Sequence, residues 1–290
     1  MRIEIPSQPV PSGPLAVRFL SFELPPLRAA TTSTAAVELE NAGTGTWHVF
    51  GPAHIRLSYH WLDRFGNVLV WEGLRAMPDG PVEPARHVRL ELPIAVPMPP
   101  GGYRLVLDIV DEGRLWFAEL GNPPLELEVD VLPRLTNRTL SVRIEPGTDK
   151  AVAATEAALA RQEEPVVDKG DAVAFLAAGC EPAPDWSRRI LDSHEEGFAA
   201  CGGSVEVSGS LLGRRGMSRV LAPWRPGFGR APSWPRLLLC PSILAELEDC
   251  APWAERVAGL PALDPRRLSE PWICDGRIRV AIEMRGPFSP

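Results

Sequence analysis

Two tryptophans, Trp224 and Trp234, bracket a Pro- and Gly-rich stretch that also carries Arg225 and Arg230. An indole face accepts the C–H edges of a sugar ring and a guanidinium fork meets an acidic group, so this grouping reads as a binding platform. The competing reading is structural, with the same indoles pinning a long loop to the core. A second cluster, His194, Glu195 and Glu196, has the residue types of a metal or acid–base site. Adjacent positions on a helix point in different directions and do not converge, so it reads as a solvated helix end. No Ser-His-Asp elbow, HExxH pair or phosphate-gripping glycine loop occurs, and "GFGR" lacks the lysine of a P-loop. The five cysteines, Cys180, Cys201, Cys240, Cys250 and Cys274, contain no CxxC pair. They read as buried thiols rather than as a zinc site or a disulfide framework. No metal and no other cofactor is expected.

Bulk composition narrows the partners. The chain has 290 residues, a formal net charge of −7 and no Lys/Arg stripe long enough to neutralise a run of phosphates, which argues against nucleic acid. No apolar run reaches the ~18 residues of a membrane span, and the first residues lack the apolar core of a signal peptide. The expectation is a cytoplasmic protein without an integral membrane segment. Its 32 prolines favour strands and turns over long helices.

The elements that must position these residues fall into two kinds. From Leu15 to Leu132, short β-type runs such as "VRFLSFEL", "HIRLSYHWLD", "HVRLELPIAV" and "GYRLVLDIV" alternate with turn signals, the pattern of an antiparallel β-sandwich. Ile55, Leu57, Tyr59 and Trp61 alternate with Arg56, Ser58, His60 and Leu62, which predicts one core face and one solvent face. Trp47, Trp61, Trp71 and Trp116 lie in or beside these strands and are expected in the core. "DRFGN" predicts a hairpin turn in which Gly66 takes a positive φ. After residue 138 a strand "TLSVRIEP", an alanine-rich helix closed by Pro165, an apolar strand "DAVAFLAAG", a helix started by Asp185 and a strand "FAACGGSVEV" predict a parallel α/β unit. Long loops, a short helix near "CPSILAELED" and a closing strand "GRIRVAIEM" should follow. The expected organisation is an N-terminal extension over 1–14, a sandwich over 15–134 and an α/β domain over 138–290.

The motifs "SYHW", "EGLR", "PGGYRL" and "EGRLWF" in combination resemble the immunoglobulin-like accessory domain of bacterial surface-polysaccharide biosynthesis proteins, over Thr31 to Val131. From about Leu140 to Val207 the chain resembles family-two nucleotide-sugar glycosyltransferases of GT-A fold. "LSVRI" matches the first strand, "AATEAALARQEEP" the first helix with its glutamine, Gln162, and "AFLAAGCEPAPDW" the metal-site segment. The resemblance implies a reduced, degenerate GT-A-like domain. The paired carboxylates that hold the family's metal align with Ala177 and Gly179, which cannot ligate through a side chain; Glu181 could restore one oxygen ligand. The two strands and helices that hold base and ribose are replaced by the "EEPVVDKG" segment between Gln162 and Asp171, with Asp168 as a remnant or an ordinary loop aspartate. By the same resemblance, Glu248 and Asp249, followed by Arg256, stand where a base for the acceptor hydroxyl is sought.

The function expected is a non-catalytic, vestigial glycosyltransferase-like protein that binds a glycan, a lipid-linked precursor or a partner transferase. One alternative is an active metal-independent transferase using Glu248 or Asp249 as base, with Arg225 and Arg230 on a nucleotide-sugar diphosphate. The other is a purely structural interaction protein.

Overall fold

The computed structural model describes residues 2–6, 8–51, 54–144, 147–176, 178–209, 243–245 and 271–284. The chain divides into two units, Met1–Leu132 and Pro133–Pro290.

The first unit is an antiparallel β-sandwich. Its strands are β1 (Arg2–Glu4), β2 (Val17–Glu23), β3 (Leu27–Arg28), β4 (Thr32–Asn41), β5 (Ile55–Asp63), β6 (Val68–Val70), β7 (His87–Ala95), β8 (Gly101–Asp111), β9 (Leu115–Trp116) and β10 (Leu125–Leu132). One sheet has the order β1-β2-β4-β7, and the other β3-β10-β8-β5-β6 with β9 on β8. Among the described residues of this unit only the short β3–β10 pairing is parallel. β1 pairs with β2, so part of the expected N-terminal extension belongs to this sheet.

Alternation explains the core. Phe22, Val37, Leu39, Leu92 and Ile94 from one sheet meet Leu57, Tyr59, Trp61, Leu105 and Ile109 from the other. Two aromatic tips find the same partner across the sandwich: the Trp61 indole N–H donates to the Ala95 carbonyl at 2.9 Å, and the Ala95 N–H donates to the Tyr59 hydroxyl at 2.8 Å. Buried polar tips are thereby satisfied and the two sheets held in one register. The turn after β5 forms as the sequence predicts. Asp63 accepts from the N–H groups of Phe65 and Asn67 at 2.8 and 2.9 Å, and Gly66 has φ 88°.

The second unit holds β11 (Leu140–Ile144), α1 (Asp149–Leu159), β12 (Ala172–Leu176), β13 (Cys180–Pro182), α2 (Trp186–Glu195), β14 (Ala200–Gly209), β15 (Ile243–Ala245) and β16 (Trp272–Met284). The sheet order is β11-β12-β15-β14-β16-β13. It is mixed rather than parallel: β11–β12 and β14–β16 run parallel, while β15 lies antiparallel between β12 and β14. Ile243–Ala245, expected in a short helix, form that inserted strand; pairing on both sides overrides the helical propensity of the local sequence.

Thr148 caps α1, accepting from the Ala151 N–H at 3.3 Å. The helix stops at Leu159, before Pro165, and the chain beyond it places Gln162 against Ala183. Leu140, Ala174, Leu176, Trp186, Ile190, Cys201 and Ile278 form the core. Cys180 and Cys201 are buried thiols outside any disulfide. Among the described residues no helix is long and apolar enough to cross a membrane.

Candidate functional site

In a sheet with parallel strands, ligands gather at the carboxyl ends of the strands. Here that region lies beyond Ile144 of β11 and Leu176 of β12, where two loops of the chain pack against each other. A Cβ built on Gly147 would lie 2.5 Å from the Ala178 methyl, so the loop into α1 rests on the turn after β12. Gly179 has φ 88°, a conformation that favours glycine, and its N–H points back into α1, donating to Thr155 Oγ1 at 3.0 Å and to the Ala151 carbonyl at 3.1 Å. Ala177 lies outside the described residues. Glu181 is exposed on β13, opposite Ala281 of β16. Among the described residues, no group of three His, Cys, Asp or Glu side chains could hold a metal ion.

The segment between α1 and β12 is equally tight. It makes one isolated parallel bridge, Val166 to Leu140, and the Val167 N–H donates to the Leu140 carbonyl at 2.9 Å. A Cβ on Gly170 would stand 2.7 Å from the Ser141 nitrogen, so the segment lies directly on the edge of β11. Asp168 is exposed. Gln162 has a positional role: its amide donates to the Ala183 carbonyl at 2.9 Å and accepts from the Ser187 N–H at 2.9 Å, tying the end of α1 to the start of α2.

Two features correct the expectation of a solvated helix end at His194 and Glu195, while Glu196 is exposed as expected. His194 is fully buried and donates from Nδ1 to the Phe198 carbonyl at 2.8 Å, while its Nε2 is buried without a partner. Burial holds its pKa down at about 4, with the Arg134 charge adding in the same direction. Glu195 joins Glu164 and Asp192 around Arg138, whose guanidinium donates to Glu164 at 2.9 Å and to Asp192 at 2.7 Å. The helix amphipathicity that aims His194 inward also places Asp192 and Glu195 on this rim. Trp224, Arg225, Arg230, Trp234, Glu248, Asp249 and Arg256 lie outside the described residues.

The structure brings together a different group in the sandwich, on the outer face of the β5–β8 sheet. β6 ends at Val70, Trp71 and Glu72 swing out, and the chain returns at Gly73, whose N–H donates to the Tyr59 carbonyl at 3.0 Å. Only glycine fits there, because a Cβ would lie 2.4 Å from that carbonyl oxygen. Ala76 then exchanges two hydrogen bonds of 2.9 Å with Leu57. The excursion lays the Trp71 ring over His60, with centroids 4.0 Å apart and planes at 15°. Nδ1 of His60 donates to the Trp71 carbonyl. Trp116 meets both rings edge-on, 4.4 Å from His60 and 6.1 Å from Trp71.

Arg75 braces the group. Its guanidinium lies 5.2 Å from the Trp116 centroid, donates to Glu112 at 2.8 Å and to the Gly73 carbonyl at 2.6 Å, and also meets Ser58 and Glu72. Burial lowers the His60 pKa, against the raising effect of its bond to the Trp71 carbonyl. Beside it Asp108, hydrogen-bonded to the N–H groups of Ile109 and Ala118, is raised to about 6 by burial.

These positions overturn two expectations. Ser58 and His60 are covered rather than solvated, and Trp71, expected in the core with Trp47, Trp61 and Trp116, is 51% exposed. The sequence signal was a tryptophan followed by Glu-Gly at the end of a three-residue strand, facing the outward His60. Its meaning depended on where the chain returns to β5.

No family model matches the chain, and no curated protein does. Among solved structures, it is similar to the CARDB domain of the PF1109 protein from Pyrococcus furiosus, solved in complex with di-metal ions (16% identity, 38% of this chain and 84% of that one, TM-score 0.25). It is also similar to PapD-like domain 7 of human CEP192 (17% identity, 40% and 82% covered, TM-score 0.21). A third is a family 123 glycoside hydrolase from Clostridium perfringens (9% identity, TM-score 0.24), where 65% of this chain matches 33% of the enzyme.

Proposed function

We propose that the protein is a non-catalytic, glycosyltransferase-like component of bacterial surface-polysaccharide assembly. Its first unit is an immunoglobulin-like accessory sandwich, and its second a shortened GT-A-like unit that has given up donor chemistry and binds a glycan, a lipid-linked precursor or a partner transferase.

The observation that carries this reading is the close packing of the loops beyond β11 and β12. A transferred sugar leaves behind a diphosphate whose charge must be met by a metal or by aimed donors. Gly147 rests on Ala178 at that end, and the Gly179 N–H is spent on Thr155 and Ala151 inside α1 rather than aimed at a ligand. The order of elements supports the descent: a first strand, a helix followed by Gln162, a second strand parallel to the first, a proline-containing turn, Trp186, a helix and a strand. Gln162 clamping that turn gives the family's glutamine a structural task that does not depend on a donor. The tight "EEPVVDKG" segment supports the loss of a base-binding pocket, since Gly170 has its backbone against β11.

Calorimetric titration of the full chain with a panel of nucleoside-diphosphate sugars, with and without Mn²⁺, tests the proposal. Silence across the panel from folded protein is expected. Micromolar binding abolished by Arg225→Ala/Arg230→Ala, or release of nucleoside diphosphate, would favour a metal-independent transferase instead.

A further inference from the structure

The sandwich carries a built aromatic plate that the degenerate second unit does not explain. We propose that the exposed face of Trp71 is the stacking surface of a saccharide site, with Glu72, Glu112 and Arg75 as its hydrogen-bonding rim. The proposal rests on the glycan-binding reading above and assigns it a place.

Preorganisation is the first argument. A tryptophan at a strand end would ordinarily be free to turn, yet this one is fixed on its inner face by His60 and at its edge by Trp116, and its own carbonyl is held by His60 Nδ1. With one face on His60, its 51% exposure belongs to the opposite face and the ring edges. The inner face of the ring covers His60, while its outer face is held rigid in water, which is what a stacking site needs.

The rim selects the ligand class. Glu72 stays 62% exposed although it pairs with Arg75, which in turn meets Glu112. Carboxylate acceptors next to a guanidinium donor match the vicinal hydroxyls of a pyranose, whose C–H bonds suit the electron-rich indole face. Arg75 takes the neighbouring Trp116 face, which leaves Trp71 as the open stacking surface. An extended peptide is disfavoured. β6 is three residues long, its pairing with β5 shifts register between Trp61 and Leu62, and the Trp71–Glu72 excursion breaks the edge that would template a strand.

The test is fluorine NMR on the full chain labelled with fluorotryptophan, the Trp71 resonance being assigned by its loss in Trp71→Phe. The probes are methyl glycosides of glucose, galactose, mannose, rhamnose and N-acetylglucosamine, each taken to about 50 mM, since one stacked ring with a few hydrogen bonds holds a ligand in the millimolar range. At least one is expected to shift the Trp71 signal saturably. Trp71→Ala should then weaken binding of that glycoside about tenfold or more, and Glu72→Gln several-fold, as read by ligand-observed NMR. Glu91→Gln, which alters an exposed carboxylate on β7 of the opposite sheet, should leave binding unchanged. Because Trp71→Ala uncovers His60, Trp71→Phe serves as the folded control and should weaken binding less.

No saccharide-induced shift overturns the inference, as does affinity that survives Trp71→Ala. The latter result would leave glycan binding intact but move it to another part of the chain. Donor turnover in the calorimetric experiment would sink the non-catalytic reading without touching this site.

Discussion

His194 should make the second unit acid-sensitive in a defined window. Its pKa is held at about 4 against an ordinary 6.5, because charging the ring would bury a cation beside Arg134 with Nε2 unpartnered. Below pH 6.5 the unfolded chain takes up a proton that the native state refuses. Stability from this group is therefore complete above pH 6.5 and is lost as pH falls toward 4. At about 1.4 kcal/mol per pKa unit, the loss between pH 7 and pH 5 is about 2 kcal/mol. The perturbation is His194→Asn, whose amide can still donate to the Phe198 carbonyl but cannot ionise. Any packing cost of the variant is the same at both pH values, so the difference in slope isolates the titration. Urea unfolding followed by hydrogen exchange in α2, from Trp186 to Glu195, reads this unit separately from the sandwich. The wild type should lose about 2 kcal/mol more than the variant between pH 7 and 5. Parallel profiles would refute the argument and place the proton uptake elsewhere.

Other consequences follow from single contacts. Asp108 has the opposite sign: its folded pKa is raised to about 6, so its contribution is present at low pH and lost as pH rises through that value. Asp108→Asn should flatten the fall in sandwich stability between pH 5 and 8, a change of about 1 kcal/mol in denaturant titrations. Gly73→Ala drives a methyl against the Tyr59 carbonyl and should cost the sandwich about 1–3 kcal/mol, seen as a lower melting temperature. Gln162→Ala leaves the buried Ser187 N–H without its acceptor; a loss of about 1–3 kcal/mol in protection at the start of α2, measured by hydrogen exchange, is expected.

The strands of the sandwich were legible because a half-buried strand writes its geometry into a two-residue alternation. Ile55, Leu57, Tyr59 and Trp61 point inward as their spacing requires. The same alternation failed on the other face, since it records which side a residue is on and says nothing of what later chain segments cover. His60 looked solvated until Trp71 and Trp116, from two different connections, closed over it. Likewise "CPSILAELED" carries helical residue types, yet Ile243–Ala245 pair on both sides with strands that begin dozens of residues earlier. His194 misled for a related reason: its acidic neighbours suggested solvent, while the face of α2 that it shares with Ile190 and Leu191 is packed in the core.

What the sequence by itself determined is local and periodic: the strand runs of the sandwich, the Asp63–Asn67 turn, the two helices of the second unit, and the lack of a side-chain ligand at Gly179. Tertiary structure decided the rest. It inserted an antiparallel strand into the expected parallel sheet, packed Gly147 against Ala178 beyond β11 and β12, and gathered His60, Trp71, Arg75 and Trp116 into one face. The division has a physical cause. Alternation and capping act over a few residues and leave a pattern in the chain, whereas burial of a given side chain depends on surfaces contributed from dozens of residues away, which no local pattern encodes.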